Sequence, residues 1–291
     1  MIFADIHGSG LKLLKRCRRS GGLARPLAWG ALAAVASLLA GCAQLPAENY
    51  QPRVGQEGKD VIWVPSPPAV VERMLDIAQV TKSDFVMDLG SGDGRNIIAA
   101  GKRGARGVGV EFNPDMVALS NRAAEKEGVS SRVSFVQGDM YVADISQANV
   151  LALFLLPDNL RRLLPKFLDL RPGSRIVVNY FGIDGWTPDV EEEMKDGCQP
   201  WCLIKMYVVP AKVTGPWQAA GLELNLEQRF QLVSGSITEG GVKREIAEGR
   251  LAGDRIRFKA GDAEYSGRVF GNRIEGEKKS GGATVNWVVT R

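Results

Sequence analysis

The sequence predicts an α/β domain with a mostly parallel sheet, followed by a small all-β meander that forms a barrel or sandwich. Two observations carry this reading. From 59 to about 209, short apolar runs alternate with stretches whose apolar residues recur at helical spacing, the pattern of strand–helix–strand units. From Pro210 onward the period drops to two. Leu222, Leu224, Leu226, Phe230 and Leu232 sit at even spacing, and turn dipeptides recur at Gly253-Asp254, Gly261-Asp262 and Gly271-Asn272. The Gly-first order suits two-residue hairpins. The expected organisation is a leader over 1–41, a polar tether over 42–58, the α/β domain over 59–209 and the β-rich domain over 210–291.

Each element has a local cause. Pro67 and Pro68 precede Val70, Val71, Met74, Leu75 and Ala78, a helical stripe entered through prolines in its first turn. Phe85-Val86-Met87 reads as the first buried strand, followed by a Gly-rich turn at 90–94 and a helix over 95–103. Gly107 to Val110 is the second strand, 114–127 a helix, Val133 to Val136 the third strand and Val150 to Phe154 the fourth. A helix over 158–170 carries Leu160, Leu163, Leu164 and Leu168, and Arg175 to Tyr180 is the fifth strand. Leu203 to Val209 is expected as an antiparallel edge strand. In the tail, Gly249 to Ile256 (GRLAGDRI) is echoed by Gly267 to Ile274 (GRVFGNRI), so seven or eight short strands of repeated hairpins are expected.

The chain has 291 residues, 37 Lys and Arg against 33 Asp and Glu, and a formal charge of +4. Residues 1–41 hold six of those bases and one acid, which leaves 31 bases and 32 acids over 42–291. The basic balance therefore belongs to the leader and gives no support to nucleic-acid binding. The leader has a basic segment over 11–25, the apolar run Leu27 to Ala40, and Leu39-Ala40-Gly41-Cys42. Its apolar run has the length of a signal-peptide core rather than a membrane span, and small residues before a cysteine resemble a lipoprotein cleavage box. The expectation is an envelope protein lipid-anchored at Cys42. The alternatives are an uncleaved N-terminal anchor, or a mis-assigned start ahead of a cytoplasmic enzyme.

The single histidine, His7, also lies in the leader. A processed chain has no imidazole, which excludes Ser-His-Asp and Cys-His nucleophile systems and histidine-ligated zinc or haem. Cys198 and Cys202, in C-Q-P-W-C, lack a second ligand pair for zinc. They are either a local disulfide or two free thiols.

The chemistry rests on Asp88-Leu89-Gly90-Ser91-Gly92-Asp93-Gly94, which follows the first strand and opens a helix. Glycines there let backbone approach a ligand and leave free N–H groups facing it. Arg95 stands where the dinucleotide pattern G-x-G-x-x-G wants its third glycine, so that fingerprint is not met. Glu111 ends the second strand, placed to accept from two ribose hydroxyls. Asp139 follows the third, where its carboxylate can accept from an adenine amine while Met140 covers the ring. Glycine loop, ribose acid and adenine acid at successive strand ends describe an adenosine without phosphates.

This arrangement resembles the Rossmann-like class I S-adenosyl-L-methionine (SAM)-dependent methyltransferases. Val64-Pro65-Ser66-Pro67, Val70 to Leu75 (VVERML), D-L-G-S-G-D-G-R, Val150 to Pro157 (VLALFLLP) and Trp186-Thr187-Pro188-Asp189 look like one subgroup. It comprises archaeal broad-specificity lysine methyltransferases and the mitochondrial enzyme acting on the ATP synthase c-subunit. The match covers about 61–209. The resemblance implies that Asp88, Gly90, Ser91 and Gly92 line the methionine end of the cofactor, Glu111 holds the ribose, and Asp139 with Met140 the adenine. Pro65 and Ser66 would close over it. Phe154, Leu155, Leu156 and Pro157 would face the transferable methyl group. Asn179, followed by Tyr180, stands where a histidine is common in the subgroup.

The expected reaction is N-methylation of a protein lysine or another amine, with no metal, the small amine or protein as partner, and no stated oligomeric form. Tyr180, Trp186 and Phe154 are either an aromatic acceptor slot or plain core, and Asp158 and Asp184 either site acids or cap and loop residues. SAM is a cytosolic metabolite while the leader points outward. A second reading is therefore an exported lipoprotein that keeps the fold as a non-catalytic binding module. Aminopropyl transfer on the same fold lacks its paired acids, since Leu155-Leu156-Pro157 occupy their position.

Overall fold

The computed structural model describes residues 50–291. The leader, Cys42 and the first part of the expected tether lie outside the described residues. The first sheet is built from β1 (Phe85–Leu89), β2 (Arg106–Glu111), β3 (Val133–Gln137), β4 (Val150–Leu153), β5 (Arg175–Asn179), β6 (Val190–Glu193) and β7 (Leu203–Val208). Four helices accompany it: α1 (Pro68–Ile77), α2 (Arg95–Lys102), α3 (Pro114–Lys126) and α4 (Pro157–Leu168). Three of them begin on proline, whose missing N–H costs nothing in a first turn. At α3 the Asn113 side chain also accepts from the Asp115 N–H at 2.9 Å.

The strand order is β3-β2-β1-β4-β5-β7-β6. The β1–β2, β2–β3, β1–β4 and β4–β5 pairs are parallel. Successive residues of the central strands supply opposite faces. Val86, Val150 and Val177 join the core beneath α1 and α2, whereas Met87, Leu151 and Ile176 join the core beneath α4. Burial on both faces gives the continuous apolar runs expected of parallel strands.

Two expectations need correction. β7 is antiparallel, as expected, but it lies between β5 and a further strand, β6, which forms the edge. The expected tether takes in residues 50–58, yet these fold back on the domain. The Gly55 N–H donates to the Trp63 carbonyl at 2.9 Å, the Trp63 N–H to the Gln56 carbonyl at 2.9 Å, and Glu57 bridges Ile62. We call residues 50–66 the strap.

The tail contributes nine strands among the described residues: β8 (Gly215–Ala219), β9 (Leu222–Arg229), β10 (Leu232–Glu239), β11 (Val242–Glu245), β12 (Ala247–Ala252), β13 (Arg255–Ala260), β14 (Ala263–Phe270), β15 (Arg273–Ser280) and β16 (Ala283–Thr290). Their order, β11-β10-β12-β13-β14-β15-β16-β8-β9, is closed by a β9–β10 pairing, so eight strands form a barrel with β11 added outside β10. Trp217, Phe258, Tyr265, Ile274 and Trp287 fill it. The internal echo is a repeated hairpin, β12–β13 and β14–β15, each turning on a positive-φ glycine, Gly253 and Gly271.

The barrel grips the segment after β5. Arg250 pairs with Asp189 at 2.7 Å, the Gln231 amide donates to the Thr187 carbonyl at 2.6 Å, and Phe230 stacks on Trp186 at 5.1 Å with planes 5° apart. The W-T-P-D segment thus sits between the two sheets.

Candidate active site

The ends of β1, β2, β3 and β4 open onto one cleft, divided into two adjoining cavities of about 80 Å³ and 40 Å³. Gly90, Trp63, Val64 and Phe154 border both. The larger also meets Glu111, Asp139 and Met140, and the smaller meets Pro65, Ser66, Asp88, Ser91 and Gly92. All nine residues expected at a cofactor therefore border this cleft. Both cavities are small beside the ~300–1,000 Å³ of ordinary small-molecule sites, because strap residues 56–64 roof the larger one.

Gly92 has φ +55, and a Cβ there would lie 2.7 Å from Trp63 Nε1. Glycine is required both for the turn and for the close seating of the strap. Glu111 accepts from the Gly92 N–H and the Asn113 N–H, each at 2.9 Å, one on each carboxylate oxygen. It thereby ties the glycine loop to the end of β2. Asp139 accepts from the Tyr141 N–H at 2.8 Å and from Lys59 Nζ at 2.5 Å. The Lys59 ammonium, followed by the Tyr141 N–H, holds the Asp139 carboxyl below its usual range.

At the other end Asp88 is buried and accepts from the Asn96 side-chain amide at 3.0 Å. Burial pushes its carboxyl well above the ordinary range, more strongly than the Asn96 amide and Leu89 N–H lower it. Asn96 Oδ1 and Ser91 Oγ are buried without a hydrogen-bond partner among the described residues. A protonation-prone carboxyl beside orphaned acceptors fits an α-amino group, and Glu111 and Asp139 fit a ribose and a purine amine. The residues present thus suit SAM along its whole length. Arg95, which broke the dinucleotide pattern, pairs with Asp93 at 2.5 Å and donates to the Ser66 carbonyl at 2.5 Å. It locks Pro65 and Ser66 to the loop.

The residues expected around the methyl group separate. Phe154 borders both cavities, but Leu155 is core beneath the glycine loop, its Cδ2 3.5 Å from where a Gly90 Cβ would be. Pro157 opens α4, Asn179 is fully buried, and Tyr180 is 39% exposed. None of these four borders the cleft: β4 ends at Leu153 and the chain turns into α4 at Pro157, while Asn179 ends β5 and Tyr180 follows it. Asn179 still reaches the site through its amide, which donates to Ser66 Oγ at 3.0 Å. Asp158 and Asp184 pair with Arg161 on the surface, and Trp186 is core. Sequence reasoning alone misses Lys59, Trp63 and Asn96. Asn96 directly follows the loop motif and Trp63 directly precedes Val64-Pro65, so both are within reach of the same motifs.

Cysteines 198 and 202 are joined in a disulfide with Cα atoms 4.7 Å apart. Among the described residues no group of three or more His, Cys, Asp or Glu is placed to hold a metal, and no helix is long and apolar enough to cross a membrane.

Sheet order, glycine loop and the two acids at successive strand ends define a SAM-dependent methyltransferase of the α/β class. Comparison with known proteins narrows this. A family described as the ANTKMT methyltransferase domain matches residues 88–190. A protein-lysine N-methyltransferase of Saccharolobus islandicus is 44% identical over 140 residues, covering 47% of this chain and 87% of that protein. The ATP synthase c-subunit lysine N-methyltransferase of Rattus norvegicus is 34% identical over 128 residues, 44% of this chain but only 59% of that one. An RNA methyltransferase from Salinibacter ruber, solved with S-adenosyl-L-homocysteine, is 41% identical, covers 52% of this chain and 96% of that chain, and superposes with a TM-score of 0.48. By its match to the archaeal enzyme, the chain belongs to the protein-lysine N-methyltransferase family.

Proposed function

We propose that the protein methylates the side-chain amine of a lysine in a partner protein, and that it does so at the cell envelope, lipid-anchored through Cys42. The transfer reading is carried by one observation: the glycine loop, Glu111 and Asp139 border a single cleft whose far end holds Asp88 with two orphaned polar atoms. A protein lysine as acceptor is supported by the names of the archaeal and rat relatives. They also favour turnover over a non-catalytic module. The envelope reading is supported by the leader pattern of basic segment, apolar run and Cys42.

SAM, when bound, supplies a methyl group on a positively charged sulfur. Displacement at that carbon needs no covalent help, so the chain's task is to hold, align and exclude water, and alignment is worth ~7–11 kcal/mol. Asp88 and Asn96 would hold the amino-acid end of the cofactor, and Glu111 and Asp139 its nucleoside end. The acceptor amine would have to reach the site as the free base. Apolar surroundings such as Phe154 favour the neutral amine by withholding water from its charged form, which removes the need for an imidazole.

Calorimetric titration of the chain with SAM tests this. Heat on titration, displaced by S-adenosyl-L-homocysteine, is expected; no heat and no competition would sink it. Methyl transfer to protein lysine rather than to free amines tests the acceptor. Globomycin should cause precursor to accumulate, and an unprocessed cytosolic product would remove the envelope part.

A further inference from the structure

Beyond the cleft, four aromatic rings converge from three parts of the chain. Phe154 follows β4, Tyr180 and Phe181 follow β5, and Trp201 comes from the turn between β6 and β7. The Trp201 ring meets Phe154 edge-on with centroids 5.2 Å apart, and Tyr180 likewise at 5.0 Å. Phe181 lies 6.3 Å from both Phe154 and Trp201. Because Phe154 borders both cavities, Trp201 stands one ring away from the cleft.

Trp201 belongs to no helix or strand, and its position comes from the disulfide loop. Cys198 is fully buried in the core beneath α1. The Trp201 N–H donates to the Cys198 carbonyl at 2.7 Å, and the Met194 N–H to the Cys202 carbonyl at 2.9 Å. The base of the loop is thus fixed and its tip presents the indole. Tyr180 is held beside that loop, its N–H donating at 2.6 Å to the carbonyl of Leu203, which opens β7. It has φ +66, a conformation that a bulky residue adopts only when its surroundings impose it. The preceding residue, Asn179, is fully buried with Oδ1 unpaired among the described residues.

We propose that Trp201, held by the Cys198–Cys202 disulfide, is a specificity-determining residue of the acceptor site: with Tyr180 it lies outside the cleft and contacts the lysine side chain on its approach to Phe154. The proposal rests on the reading of the cleft as a methyltransferase site. A lysine side chain is an apolar stem ending in a cation, and aromatic rings attract both parts. The rings also favour the charged amine, but less strongly than a carboxylate would, so the proton is lost more readily than it would be beside an acid. Opening a disulfide that spans only five residues changes the unfolded chain little, and because Cys198 is buried the cysteine variant is compared at matched affinity for S-adenosyl-L-homocysteine.

The test uses the full chain saturated with S-adenosyl-L-homocysteine and n-butyltrimethylammonium as the lysine side-chain probe. Indole N–H resonances of isotope-labelled tryptophans report its binding, with Trp201 identified by the signal lost in Trp201→Phe. The expected result is a shift of the Trp201 signal. In Cys198→Ser/Cys202→Ser the same shift should need about tenfold more probe, with unchanged affinity for S-adenosyl-L-homocysteine. No binding of the probe, a shift confined to other indoles, or equal binding by the cysteine variant would overturn the proposal while leaving the cofactor reading intact. Failure of S-adenosyl-L-homocysteine itself to bind overturns the functional reading and the proposal with it.

Discussion

Lys59 Nζ donates to Asp139 Oδ2 at 2.5 Å, joining the strap to the carboxylate beyond β3. The same ammonium lies 5.1 Å from the centre of the Phe112 ring. Lys59 thus holds the oxygen that an adenine amine would donate to, and the strap is latched where the nucleoside has to enter.

Lys59→Ala should therefore bind SAM a few-fold more tightly, by removing a competitor for Asp139. Calorimetry on both proteins measures this. A clear loss of affinity would instead show that Lys59 closes over the bound nucleoside.

Glu111→Ala should weaken SAM binding by ~1–3 kcal/mol, the cost of losing partly buried hydrogen bonds. The Gly92 and Asn113 N–H groups also lose their acceptor. The same titration gives the number, and unchanged affinity would remove Glu111 from the site.

Asp88 predicts a pH dependence. Its pKa is raised in the folded chain, so as pH climbs from the ordinary carboxylate range towards that raised value, the unfolded chain releases the proton first. Stability then falls over that window. An amino group arriving beside Asp88 favours the ionised form, so SAM affinity should rise over the same window. Both slopes should flatten in Asp88→Asn, followed by denaturation and by calorimetry across pH.

Trp186 is buried against Tyr207 and Phe230 with its Nε1 lacking a partner among the described residues. Trp186→Ala should cost ~3–5 kcal/mol through the cavity it leaves. Trp186→Phe should cost less than about 1.5 kcal/mol, because it keeps a ring and removes an unsatisfied donor. Denaturant unfolding distinguishes the two.

The elements of the first sheet are legible in the sequence because each is punctuated locally. Pro68, Pro114 and Pro157 start helices, and Gly90 to Gly94 mark the loop. β6 is hidden, since Val-Glu-Glu-Glu neither alternates nor runs apolar; an exposed edge position demands neither. Barrel closure is likewise invisible, because β16 meets β8 through pairing that joins the two ends of the tail, whereas β9–β10 is a local hairpin. At the site, the acids and glycines are readable from their spacing after strands. Lys59 lies in a segment too polar to suggest a folded role. Trp201 acquires its place through a disulfide and ring packing, neither of which leaves a periodic trace.

The grip of the barrel on Trp186, Thr187 and Asp189 has a consequence for truncation. The archaeal relative is matched over 87% of its length by 140 residues of this chain, so it has no room for a comparable barrel. Here a chain shortened at 209 would leave the Trp186 face bare and Asp189 without its arginine. The barrel therefore supplies both the ring that covers Trp186 and the cation that pairs Asp189.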